Sequence, residues 1–251
     1  MSEKPRKENL RQELSHLEKL WKKQFSEEIL LFPFQTKNEI KDFLIKNFND
    51  FDSRLFTDKF IPQSLNLNGK TYLSSLSHCP NQGLFMITKN PSSQNILGLG
   101  ADIEQKSRLT KKLIKRISSS EEIQRLSEKL DLSFHLWTVK ESSFKALPLI
   151  LQPPVISKLI LENFSQFPIS SNSYAPLETT TLTSETDSFS LTEDSSSFIT
   201  FKTSTKANLE ISSEANSDAQ ANKLSQIDIS ILGLSLATKN LVISLALCKK
   251  Q

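Results

Sequence analysis

Two short segments hold side chains whose types and spacing suit chemistry on phosphates. Gly98-Leu99-Gly100-Ala101-Asp102-Ile103-Glu104 reads as the end of a β-strand. Side chains alternate across a strand, so Asp102 and Glu104, two residues apart, project from one face. Trp137-Thr138-Val139-Lys140-Glu141-Ser142-Ser143-Phe144-Lys145 reads as a helix. Trp137, Glu141 and Lys145 recur at every fourth residue there and share one side. Packing that strand against that helix gathers three carboxylates, with Lys145 beside them. Mg²⁺ takes oxygen ligands of this kind together with substrate phosphates. The competing reading of Glu141 and Lys145 is a surface ion pair of roughly a few tenths of a kcal/mol.

The two segments resemble the hallmark of the 4′-phosphopantetheinyl transferase family, Gly-x-Asp-x-Glu followed by Trp-x-x-Lys-Glu-Ser-x-x-Lys. The strand here is Gly100 to Glu104 and the helix motif is Trp137 to Lys145. A third element of the family, a Ser-His pair after a short upstream strand, stands as Ser75-Leu76-Ser77-His78. Ala101 takes the place of the usual β-branched residue and points away from the acids. The length of 251 residues resembles the two-half, surfactin-synthetase-activating type.

That resemblance implies an α+β fold, a pseudo-dimer of two similar half-domains, each a small antiparallel sheet packed with helices. The halves would span 1–93 and 94–251, with the site between them and a polar segment at 165–226. It implies Mg²⁺ on Asp102, Glu104 and Glu141, and coenzyme A as donor. Glu141, Lys145 and Lys140 would be catalytic, and Ser77, His78, Lys70 and Lys145 would hold the nucleotide and its phosphates. Gly69-Lys70 resembles the family's Gly-Lys-Pro, with Thr71 in place of proline. Arg54 and Lys59 are candidates for a 3′-phosphate. The acceptor would be a serine of an apo acyl- or peptidyl-carrier protein, and the protein a cytoplasmic monomer. Two rival readings stay open: a non-catalytic relative that binds coenzyme A or a carrier protein, and an unrelated Mg²⁺ phosphatase.

Six cations and no acid lie in Lys106, Arg108, Lys111, Lys112, Lys115 and Arg116. They read either as a solvated helix face or as a docking surface for an acidic partner such as a carrier protein. The resemblance favours the second, through Arg108, Lys111, Lys112 and Lys115. A net charge of only +3, without an aromatic stacking platform beside this run, argues against a nucleic-acid binder. The two cysteines, Cys79 and Cys248, lack metal or redox spacing and read as reduced thiols. Met1 to Leu20 is charged and carries no apolar leader. Ile229 to Cys248 resembles a membrane span in length, yet Ala237-Thr238-Lys239-Asn240 interrupts it and both flanks alternate, which predicts a β-hairpin.

The elements that must position these groups follow from periodicity. Amphipathic helices are predicted over 8–30 and 37–48, and a short one over Phe51–Lys59. Tyr72–Ser77 and Gly83–Lys89 make a strand pair, and Ile96–Glu104 the acid-bearing strand. Arg108–Lys129 is helical with a break and new cap at Ser118-Ser119-Ser120. Leu132–Leu147 is the Lys-Glu-Ser helix, stopped by Pro148. Val155–Phe164 is a strand, and Ser188–Leu191 pairs with Ser197–Thr203. Asn208–Gln226 is polar enough to read as an extended loop.

Overall fold

The computed structural model describes residues 3–48, 63–67, 69–91, 95–127, 132–167, 197–205 and 229–250. Its architecture is α+β, with two antiparallel sheets. The first takes β1 (Ile29–Phe34), β4 (Gln82–Thr88), β3 (Lys70–Cys79) and β2 (Ser64–Leu67), in that spatial order. The second takes β5 (Ile96–Gln105), β9 (Leu241–Lys250), β8 (Ile229–Ala237), β7 (Ser197–Thr205) and β6 (Leu159–Phe167). Helices α1 (Glu3–Phe25), α2 (Lys37–Asn47), α3 (Lys111–Ile117), α4 (Ser120–Ser127) and α5 (Leu132–Ala146) cover them.

The second sheet packs apolar cores against both of its faces. Leu99, Ala101, Ile103, Ile243, Leu245 and Leu247 pack in one core with Leu10, Leu14, Leu17 and Trp21 of α1. Ala246, Cys248, Ile231, Ile199 and Phe201 share another core with Leu136 and Val139 of α5. Two apolar faces make the near-continuous hydrophobic run of β8 and β9. The hairpin expected over 229–248 is therefore present, and no described helix is long and apolar enough to cross a membrane. The α1 core also takes Ile29, Leu31, Leu84 and Met86 from the first sheet, so one helix seals the backs of both sheets. The opposite face of the first sheet packs Phe85 and Ile87 against Ile40 and Leu44 of α2.

Several boundaries differ from the sequence reading. The first helix ends at Phe25, where Ser26 takes φ 58° and donates its N–H to the Lys22 carbonyl. The next segment, Ile29–Phe34, is an unpredicted strand. Pro33 is tolerated because β1 pairs only with β4, leaving its other edge outside the ladder. The 108–129 region divides into a 3₁₀ turn (Lys106–Arg108), α3 and α4, with the break at Ser118-Ser119. Strand β6 starts only at Leu159, after a 3₁₀ turn at Ile156–Lys158. Strand β7 pairs with β6 and β8, so both its edges are occupied; the expected partner Ser188–Leu191 lies outside the described residues. So do the Phe51–Lys59 helix and Asn208–Gln226.

The two sheets meet along β3 and β5. β2 pairs only with Lys70 to Leu73, so the second half of β3 has a free edge. There the Ser75 hydroxyl accepts the Ala101 N–H (2.9 Å) and the Ser77 hydroxyl accepts the Ile103 N–H (3.3 Å). Residue numbers rise together across this joint, so the strands run in the same direction. Side-chain oxygens replace the carbonyls of an ordinary ladder, and buried N–H groups that would otherwise lack partners are satisfied.

Candidate active site

Glycines bring the helix onto the strand. A Cβ on Gly98 would meet the Ala146 carbonyl oxygen at 2.2 Å, and one on Gly100 the Ser142 carbonyl oxygen at 1.8 Å. The α5 backbone therefore rests directly on β5, which only glycine permits. That contact sets Glu141 and Lys145 of α5 beside Asp102 and Glu104 of β5. All four line a cavity of about 890 Å³, with Trp137, Ser77 and His78. The volume falls within the usual range for small-molecule sites.

Asp102 and Glu104 are already paired with cations. Asp102, buried with 7% of its side chain exposed, accepts at Oδ1 from Lys145 Nζ (2.7 Å). The same oxygen accepts from the Ser77 hydroxyl (2.7 Å). Lys145 Nζ also donates to Ser77 Oγ (3.2 Å) and to the Ala101 carbonyl (3.3 Å). Glu104 Oε1 accepts from the backbone N–H of Gln105 (2.8 Å) and from Arg108 Nη1 (3.2 Å). Burial raises the Glu141 carboxyl above the ordinary glutamate range; Lys145 draws it back, while Asp102 and Glu104 push it up. This mutual influence indicates that the three acids share one field.

Among the described residues, no three His, Cys, Asp or Glu side chains are drawn together closely enough to hold a metal ion. Lys145 and Arg108 supply the positive charge next to Asp102 and Glu104 instead. The donor set nonetheless fits a hard cation. It is all carboxylate, it lines one cavity, and Mg²⁺ needs few protein ligands because it keeps its waters and takes substrate phosphates.

The remaining expected site residues separate into groups. His78 is exposed on the cavity wall, while its neighbour Cys79 is buried on the other strand face. Burial, then the charge of Glu104, pushes the Cys79 thiol up to about 11, so it stays protonated. Arg108 lines the cavity rim, while Lys111, Lys112 and Lys115 are exposed on α3 outside it. Arg54 and Lys59 lie outside the described residues.

Two of the expected site residues, Lys140 and Lys70, lie away from this cavity. Lys140 is fully buried and does not line the cavity; its ammonium pairs with Glu122 (2.7 Å) and donates to the Ile117 carbonyl (2.7 Å). Successive helical residues lie about 100° apart, which turns Lys140 into the protein when Glu141 faces the cavity. Lys70 sits at the opposite end of β3 from Ser77, exposed and away from the cavity lining. Seven residues of extended strand separate them by about 23 Å.

Gln35, from the β1–α2 connection, and Lys37, the first residue of α2, line the cavity and were not anticipated. No motif marks them; a signal exists only in the Thr36–Glu39 capping box, which fixes where α2 begins. The turn of the β3–β4 hairpin also reaches the cavity. Pro80 and Asn81 are its central residues, and Asn81 adopts φ 66°, as a Pro-Asn turn of the second type requires.

A search of curated proteins finds no match. The family model of the 4′-phosphopantetheinyl transferase superfamily matches residues 98–216, just under half of the chain. The match begins on the glycines of β5 and runs through α5, so it contains all three acids and Lys145. The chain thus carries, in residues 98–216, a domain of the 4′-phosphopantetheinyl transferase superfamily, a group of transferases.

Proposed function

We propose that this protein transfers 4′-phosphopantetheine from coenzyme A to a serine hydroxyl of an apo acyl- or peptidyl-carrier protein, in a Mg²⁺-dependent reaction. One observation carries the reading: Asp102, Glu104, Glu141 and Lys145 line the same cavity as Ser77 and His78, within and next to the matched domain. Two sheets meeting at that cavity suit the two-half, pseudo-dimeric type, with the halves divided near residue 93.

Asp102, Glu104 and Glu141 would hold Mg²⁺, which supplies positive charge to the pyrophosphate. Glu141 accepts the serine proton. Burial raises its carboxyl above the ordinary glutamate range, the direction that strengthens a base. The serine oxygen bonds to the pantetheine-side phosphorus while that phosphorus loses its bond to the bridging oxygen. The leaving group is adenosine 3′,5′-bisphosphate. Lys145 and His78 offset its charge, and Lys37 and Arg108 add cations to the cavity rim. Arg108, Lys111, Lys112 and Lys115 receive the acidic carrier protein.

Incubation with coenzyme A, Mg²⁺ and an apo carrier protein, read by intact mass, tests this. The expected result is a carrier heavier by one phosphopantetheine, with adenosine 3′,5′-bisphosphate released. Coenzyme A binding without transfer would instead identify a non-catalytic binding module. Phosphate release without a modified carrier would identify a phosphatase.

A further inference from the structure

A buried ion pair lies behind the cavity. Lys140 and Glu122 have 0% and 2% of their side chains exposed. Glu122 belongs to a capping box at the start of α4: its Oε2 accepts the Ser119 N–H (2.8 Å), and Ser119 Oγ accepts the Glu122 N–H (3.1 Å). The same Oε2 accepts from Lys140 Nζ (2.7 Å), and Oε1 accepts the Leu161 N–H of β6 (2.8 Å). Lys140 Nζ donates again to the carbonyl of Ile117, the last residue of α3. Four elements therefore converge on one ammonium and one carboxylate.

Replacing such a pair by apolar residues of similar volume is often neutral or favourable for stability. Its distinctive property is direction. On the sheet side, α5 is tied by hydrogen bonds of His135 with Ser235, Thr138 with Ser244 and Ser143 with Thr203, and on β5 Ser142 and Ala146 meet bare glycine backbone at Gly100 and Gly98; the Lys140–Glu122 pair ties its other side to α3, α4 and β6. Lys140 immediately precedes Glu141, so a rotation of α5 carries Glu141 and Lys145 with it.

We propose that Lys140 and Glu122 are positioning residues: their pair fixes the rotation of α5 about its axis and so places Glu141 and Lys145 in the cavity. This rests on the transferase reading above. The test compares the full-length parent with Lys140→Met, Glu122→Gln and the double variant Lys140→Met/Glu122→Leu. Steady-state transfer kinetics and urea unfolding midpoints are measured for each. The single variants are expected to lose at least tenfold in kcat, with any rise in KM for coenzyme A smaller than that fall. The double variant is expected to regain the parental unfolding midpoint and not the parental kcat. Recovery of both would reduce the pair to a stabilising contact and overturn the proposal. A raised KM for coenzyme A with kcat preserved in Lys140→Met would overturn it in favour of direct phosphate contact. Parental kcat in folded single variants would also overturn it, leaving the transferase reading intact. A parent that transfers nothing would remove both.

Discussion

Lys145 Nζ and Asp102 Oδ1 stand 2.7 Å apart, and the Ser77 hydroxyl touches both. The lysine keeps 29% of its side chain exposed and the aspartate 7%. The contact is therefore a partly covered ion pair at the cavity floor, held by a residue from the other sheet. Ser77 orients the carboxylate, and through its bond to the Ile103 N–H it also holds β5 itself.

Ser77→Ala should show both effects. Loss of the hydroxyl leaves the Ile103 N–H without its acceptor and costs about 1–3 kcal/mol of stability. Transfer should fall by roughly tenfold as Asp102 and Lys145 lose their common partner. Urea unfolding and carrier-modification kinetics on the same preparation check this. Unchanged kinetics beside a lowered midpoint would confine Ser77 to the joint between sheets.

Gly100→Ala tests the contact between helix and strand. The new methyl would sit 1.8 Å from the Ser142 carbonyl oxygen and 2.7 Å from the Ala146 nitrogen, both backbone atoms that cannot swing aside. A loss above about 3 kcal/mol is expected, in the class of severe overpacking. Gly69→Ala is the control. Nothing lies within 4 Å of its Cβ position, and only its φ of 71° disfavours alanine, by about 1–2 kcal/mol. Equal melting temperatures for the two variants would contradict the close approach.

His135 sets an acid limit on stability. It is buried between α5 and β8, with Nδ1 2.7 Å from Ser235 Oγ. Burial, then the charge of Lys106, lowers it to about 3 from an ordinary 6.5. Between those values the unfolded chain binds a proton that the folded protein refuses. The contribution is complete above pH 6.5 and is lost as pH falls toward 3, by up to about 1.4 kcal/mol per pH unit. Urea midpoints from pH 7 to pH 4.5 should fall less steeply in His135→Gln than in the parent. Parallel slopes would show that His135 ionises in place.

Charge reversal on α3 separates docking from chemistry. Lys111→Glu with Lys112→Glu alters exposed cations outside the cavity, each worth roughly 0.2–1 kcal/mol and screened by salt. A two- to fivefold higher carrier KM is expected, shrinking at high ionic strength, with coenzyme A affinity unchanged. Arg108→Glu should behave differently, because it sets a carboxylate beside Glu104 in place of the guanidinium now 3.2 Å away. There kcat should fall as well. Identical behaviour of the two variants would place Arg108 with the docking cations alone.

Much of the site was legible because its residues obey simple periods. Asp102 and Glu104 alternate on a strand, and Trp137, Glu141 and Lys145 follow helical spacing. The β8–β9 hairpin was readable from its interrupted alternation. Strand β1 was hidden because its edge position admits Pro33 and partial burial on both faces blurs alternation. Lys140 was misplaced because a cation next to Glu141 looks the same whether it meets a phosphate or a buried carboxylate. Its partner, Glu122, was visible only as the end of a helix cap. Lys37 reaches the cavity through the path of the chain between β1 and α2, which no local spacing encodes.

The hydroxyl seam between β3 and β5 has a consequence for how the molecule moves. Ser77 and Ile103 tie the sheets where they also line the cavity, and Ser75 with Ala101 extends the same seam beyond it. Sliding or opening one sheet against the other would strip Asp102 of its serine partner. Access for a large substrate must therefore come from the rim, through side chains such as Arg108 and the Pro80-Asn81 turn, while the floor stays fixed. Catalytic competence and the docking of the two sheets then form one cooperative unit, expected to vanish together in a single transition as denaturant is added.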